Sequence, residues 1–203
     1  SLGVALENVG QAAEALASAR EGAALLRRGA EQSSGVPAHF LAGSLVNQGM
    51  MLLSQGRFHE AVHSTREAVV IFRELARLEP DLYLQDLASN LANLAVFLSD
   101  LGAGDEALRQ CRESTAIYRE LANDRPDVFL PDLARVLDLR SSLLDDVSPS
   151  PEAVAHAEEA VAILRNLAKW HPNTYLPDLA HQISNLGNQL SAVGEDKKAL
   201  AFS

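Results

Sequence analysis

The stretch "RPDVFLPDLA" (residues 125–134) carries two prolines five residues apart, each followed by an aspartate. It recurs as "EPDLYLQDLA" at 79–88 and "HPNTYLPDLA" at 171–180. Pro80, Pro126 and Pro172 stand 46 residues apart, and so do Leu87, Leu133 and Leu179. A fixed internal period comes before any other reading, because repeats dictate architecture. The same step joins Asn47, Asn93 and Asn185, with Leu139 interrupting. It joins Leu52, Leu98, Leu144 and Leu190, and also Gly10, Gly56, Gly102 and Gly194, with Ser148 in the gap. Ala15, Ala61, Ala107, Ala153 and Ala199 complete the set. One repeat domain, 1–203, therefore holds copies at about 1–40 (partial), 41–86, 87–132, 133–178 and 179–203 (partial).

Within a copy the period is helical. Leu91, Leu94, Ala95 and Leu98 fall at i, i+3, i+4 and i+7, one face of a first helix. Gly102 closes it, as expected of a left-handed helix end. A second helix starts near Asp105, runs through Ala107, Cys111, Tyr118 and Ala122, and ends before Pro126. Each copy is an antiparallel helix pair. Composition agrees: aromatics are only 5 % of a chain dominated by Ala and Leu, which favours helix over sheet. Seventeen basic against 27 acidic residues leave a net charge of −10. A phosphate-backbone binder needs a basic face, so nucleic acid is excluded as the expected partner. No apolar run approaches the ~20 residues of a membrane helix. The single cysteine, Cys111, excludes an internal disulfide framework and fits a reducing, cytoplasmic setting.

The order Leu91, Leu94, Ala95, Leu98, Gly102, Ala107, Ser114, Pro126 resembles the tetratricopeptide repeat signature, and Ile183, Leu186, Gly187, Leu190, Gly194, Ala199 matches it further. In that family small residues let two helices approach and a proline ends the second. The period is longer than the usual ~34 residues, with the surplus before Pro126 and between it and Leu137. Long repeats of this kind resemble those of kinesin light chains and of sensor arrays on bacterial nucleotide-dependent switch proteins. The resemblance implies an all-α, right-handed superhelical solenoid of stacked hairpins, each burying its face only against neighbours. Pro126 stops one helix. Pro131 is expected in the first turn of the next, with Asp132 beside the helix dipole. Residues 127–130 are either an extra helical turn or a bent connector. Phe129 and Leu130, like Tyr83 and Leu84 or Tyr175 and Leu176, are expected to pack into the joint. The array is expected to continue beyond both ends.

Chemistry-bearing patterns are sparse. Asp145–Asp146 lacks a third carboxylate at a helical step, and "DDVSPSPE" reads as a helix end and solvated turn. His59 and His63 stand at i, i+4 without the remaining ligands of a zinc site, and read as an exposed face. Cys111 lies on an inner helix face with no histidine to activate it, so it reads as a buried small hydrophobe. No glycine-rich phosphate loop occurs, and "LGAGDEA" is a turn. No catalytic residue, cofactor or metal site is expected. Arg140 stands where other copies have Leu94 and Leu186, so its guanidinium must reach solvent or find a carboxylate.

The resemblance also places an inner groove. Its candidate wall is Val46, Met50, Leu53 and Ser54, then Ser89, Ala92, Val96, Ser99 and Asp100. Arg135, Asp138, Ser142, Asp145 and Asp146 follow, then His181, Ser184, Asn188 and Ser191. Asn93 and Asn185 lie beside it, read as structural amides bridging helices, with peptide contact as the alternative. The wall runs from apolar to acidic to polar. The expected function is a non-catalytic scaffold for a protein or peptide segment mixing apolar and basic residues, within a larger protein. The alternatives are an oligomerisation module, or the regulatory arm of an enzyme or switch whose catalytic domain lies elsewhere.

Overall fold

A computed structural model describes residues 14–28 and 38–195. Within them lie eight helices and no strand: α1 (14–28), α2 (Ala38–Ser54), α3 (Phe58–Leu78), α4 (Pro80–Asp100), α5 (Gly104–Asp124), α6 (Pro126–Val147), α7 (Pro151–Trp170) and α8 (Pro172–Ala192). Gly10, Ala199 and much of both partial terminal copies lie outside the described residues. The chain forms two compact units, Ser1–Gly102 and Ala103–Ser203. In the first, α3 packs on both α2 and α4; in the second, α5 to α8 pack each on the next. The 87–132 copy thus contributes its first helix to one unit and its second to the other.

A single residue makes each junction between copies. Glu79, Arg125 and His171 hold φ of −137°, −137° and −133°, the extended backbone that a following proline imposes. The Arg125 N–H still donates to the Leu121 carbonyl (2.9 Å), while its own carbonyl accepts from Val128 and Phe129. One helix ends and the next begins with no linker. Pro126 is therefore the first residue of α6, and 127–130 form the extra helical turn. Pro131 departs from expectation: it stands inside α6, as Pro177 stands inside α8. A proline there withholds the N–H from the carbonyl four residues back. Those residues, Asp127 and Asn173, are exposed, so water can serve the freed carbonyls.

The turns within copies follow their residues. Gly56 and Gly102 have φ of 70° and 74°, the left-handed region in which glycine avoids a Cβ clash. Where Ser148 replaces glycine, the turn changes type. Ser148 is extended, Ser150 caps α7 by accepting from the Ala153 N–H (3.2 Å), and Pro151 opens that helix.

Core positions follow the helical period. Leu91, Leu94, Ala95, Leu98 and Cys111 are buried, and burial pushes the Cys111 thiol up to about 11. The joint residues diverge: Phe129 is buried, but Leu176 is 51 % exposed. Arg140 finds a carboxylate, donating to Glu152 at 2.9 Å while its own side chain is only 12 % exposed.

Candidate functional site

In the second unit, α6 and α8 both pack on α7, and their facing sides enclose two clefts. The larger, of about 380 Å³, has Arg135 and Asp138 of α6 on one wall and Tyr175, Asp178, His181 and Gln182 of α8 on the other, with Leu164 of α7 also lining it. The smaller, of about 210 Å³, is lined by Ser142, Asp145 and Asp146 from α6 and Asn185, Asn188 and Gln189 from α8. Helical spacing explains the grouping. Arg135, Asp138, Ser142 and Asp145 recur every three or four residues, so they share one face of α6. His181, Asn185 and Asn188 do the same on α8.

The chemistry of this face is polar and incompletely satisfied. Burial raises the Asp138 carboxyl above its ordinary range, while Gln182, His181 and Asn185 pull it back. Asn185 Nδ2 lies 3.1 Å from His181 Nε2. Arg135 is drawn to Asp132 at 3.5 Å. Gln182 is 2 % exposed and its side chain is set against the Asp138 carboxylate. Asp145 Oδ1 is buried without a donor. Asp145 and Asp146 both stand in the last turn of α6 rather than in a solvated turn, Asp145 half-buried and Asp146 exposed. Below the clefts Ser141 Oγ donates to the Ala153 carbonyl (2.8 Å) and lies 3.0 Å from Gln189 Oε1. Buried groups left unpaired are uncommon in folded proteins, and each calls for a physical reason.

Of the second-unit candidates, Arg135, Asp138, Ser142, Asp145, Asp146, His181, Asn185 and Asn188 line these clefts, whereas Ser184 and Ser191 do not. In the first unit Met50 of α2 and Val96 of α4 are 47 % and 37 % exposed, Asp100 is exposed, and Val46, Leu53 and Asn93 are half-buried. Ala92 is a correction: it is fully buried in the core rather than on a groove wall. The asparagines also divide, since Asn47 is exposed whereas Asn185 reaches His181 and Asp138. Sequence reasoning missed Gln182, Gln189 and Asp178, and read Tyr175 as a joint residue rather than a cleft residue. Gln189 did carry a signal, because it stands where other copies have Met51, Phe97 and Leu143. A polar residue at an apolar register position marks a polar interior.

Residues 87–127 match the sequence profile of the tetratricopeptide repeat. Among solved structures the chain is similar to BtubC (BKLC) from P. vanneervenii, with a TM-score of 0.78 and 21 % identity over 97 % of this chain and 72 % of that one. It is similar to MamA, with a TM-score of 0.62 and 13 % identity over 100 % and 90 % of the two chains. A putative kinesin light chain from P. anserina with nearly identical TPR-like repeats aligns at a TM-score of 0.56 and 16 % identity, over 95 % and 88 %. No curated protein sequence matches significantly. At these identities the shared property is the fold, an all-α stack of helical hairpins.

Proposed function

We propose that this chain, a tetratricopeptide-type repeat protein, is a non-catalytic scaffold that holds a segment of another protein against the α6–α8 face. Repeats of this type generally mediate protein–protein interaction, and the finer reading rests on one observation. In the smaller cleft a buried acceptor, Asp145 Oδ1, is left without a donor. An extended peptide offers an N–H at every residue but proline, and so can supply one. We place the protein in the cytoplasm because its buried cysteine is free, and within a larger protein as a sensing or docking arm.

The test is selection from a random peptide library on the 203-residue chain, followed by amide-exchange footprinting of the selected binders. Protection should fall on α6 and α8, and Ser142→Trp, which fills the smaller cleft from an exposed position, should weaken binding about tenfold. Protection elsewhere, with Ser142→Trp binding normally, would refute the groove.

A second reading, self-association, is favoured by Trp170, which is 81 % exposed at the end of α7. Exposed aromatic surface of that kind is common in interfaces. Sedimentation across a concentration series decides it, since a monomer at every concentration excludes that reading.

A further inference from the structure

We infer that His156 is an acid-operated latch on the α6–α7 hairpin: on binding a proton it takes the Glu152 carboxylate from Arg140, and the hairpin loosens beside the smaller cleft. The latch works whether or not a peptide occupies the clefts.

Three side chains meet between the later half of α6 and the first turns of α7. Arg140 Nη2 donates to Glu152 Oε1 at 2.9 Å, and the same oxygen lies 3.7 Å from His156 Nε2, one turn along α7. That nitrogen is buried and has no hydrogen-bond partner. The sequence makes the cluster peculiar to this copy. Arg140 stands in the register of Leu94 and Leu186, both fully enclosed, and His156 in that of Ser64 and Gln110. Arg140 therefore holds a charge at a position that other copies fill with leucine, and Glu152 is the carboxylate that makes this tolerable. Its neighbour Ser141 donates to the Ala153 carbonyl of α7 at 2.8 Å and lies 3.0 Å from Gln189 of α8, a residue of the smaller cleft. The same few residues thus close the hairpin and underlie that cleft.

The charges around the ring leave no spare anion for a proton to bring. Arg140 faces it from α6, Arg119 from α5, and Glu152 and Glu159 from α7 itself. Arg119 is bound to Glu159, its Nε donating at 3.3 Å, as Arg140 is bound to Glu152. α8, also packed on α7, brings no charge to the ring, and its Asp178 and His181 line the larger cleft. The Cys111 thiol near Arg140 is pushed up to about 11 and stays neutral. Burial first, then the two arginines, outweigh the two carboxylates and hold the imidazole below its ordinary 6.5. Protonation would make three cations share two carboxylates. The nearest acceptor is Glu152 Oε1, the oxygen that Arg140 already uses. Once the imidazolium takes it, Arg140 is enclosed without a partner, and its guanidinium must swing out to water. Because the folded value is depressed, the stability contributed by neutral His156 is complete above 6.5 and is lost as pH falls from there towards the folded value.

Amide exchange on the full 203-residue chain at pH 7.5 and pH 5.5, corrected for intrinsic exchange, reads the latch. Residues 138–145 and 151–158 should exchange about fivefold faster or more at the lower pH, while residues 66–78 of α3 in the other unit change by less than about twofold. His156→Gln, which copies Gln110 of the preceding repeat, should remove that acceleration. Arg140→Leu, the residue of other copies, frees Glu152 for the ring. The His156 titration, followed by NMR of its ring protons, should then move to higher pH, and the acceleration should again disappear. Acceleration undiminished in His156→Gln would overturn the inference. So would a parent chain with no acid acceleration in these segments, or a His156 titration that Arg140→Leu leaves in place or lowers.

Discussion

Burial raises the Asp138 carboxyl above the usual carboxylate range, and its neighbours Gln182, His181 and Asn185 offset this only in part. A raised value in the folded state means that folding favours the protonated acid. Stability contributed at this site is thus present at low pH and is lost as pH rises through the folded value. Asp138→Asn cannot ionise, so it should be at least as stable as the parent at pH 7, with the difference vanishing near the unfolded value of ~3.9. Urea titrations from pH 3 to 8 measure this, and a clearly less stable variant at pH 7 would contradict it. Gly49 poses a steric question instead. A Cβ there would lie 2.5 Å from Thr65 Oγ1, on a β-branched side chain that is only 2 % exposed and rotates with difficulty. Alanine is favoured over glycine by about 1 kcal/mol in a helix interior, yet overpacking costs ~1–3 kcal/mol. Gly49→Ala should therefore lower the thermal midpoint; a rise would show that Thr65 can turn aside. Gly49 shares its register with Ala95, Ser141 and Gly187, all small, but the atom it makes room for is set by packing.

Among the elements, α6 shows how far local signals reach. Pro126 announced a boundary and the structure has one there, because a proline restricts the residue before it whatever the tertiary context. Pro131 announced a second start that does not occur. The helix runs through it because its apolar face, including Leu133, Val136 and Leu137, is already buried in register from Phe129. Packing along a whole helix outweighs one missing hydrogen bond near its beginning. The turn after α6 substitutes one device for another: no left-handed glycine, but a serine cap at Ser150. Ser150→Ala should cost about 1 kcal/mol, read as a lower urea midpoint. Ser148→Gly should not stabilise, since φ of −171° is extended backbone open to any residue. A stabilised Ser148→Gly would imply that the turn relaxes to the form seen at Gly56 and Gly102.

At the scale of the molecule, stability in repeats is a sum over neighbouring elements rather than the property of one core. In the second unit α6 packs against α5 and α7 and buries seven residues, while α8 buries Gln182, Leu186, Gln189 and Leu190, two of them polar. Amide exchange should therefore be fastest in α8 and slowest in α6 within that unit; uniform protection across α5 to α8 would contradict a neighbour-by-neighbour sum. The sequence alone determined the helical class, the 46-residue step, the helix ends before Pro80, Pro126 and Pro172 and the faces turned inward. Those features depend on backbone chemistry and on a period that every copy states again. Only the tertiary structure decided that Asp145 is buried without a partner, that Ala92 belongs to the core, that Arg140 is held by Glu152, and that Gln182 and Gln189 stand behind the clefts. Each of these depends on side chains brought from different helices, and a polar residue's satisfaction is set by the partner that packing places against it. No spacing within one helix records that partner.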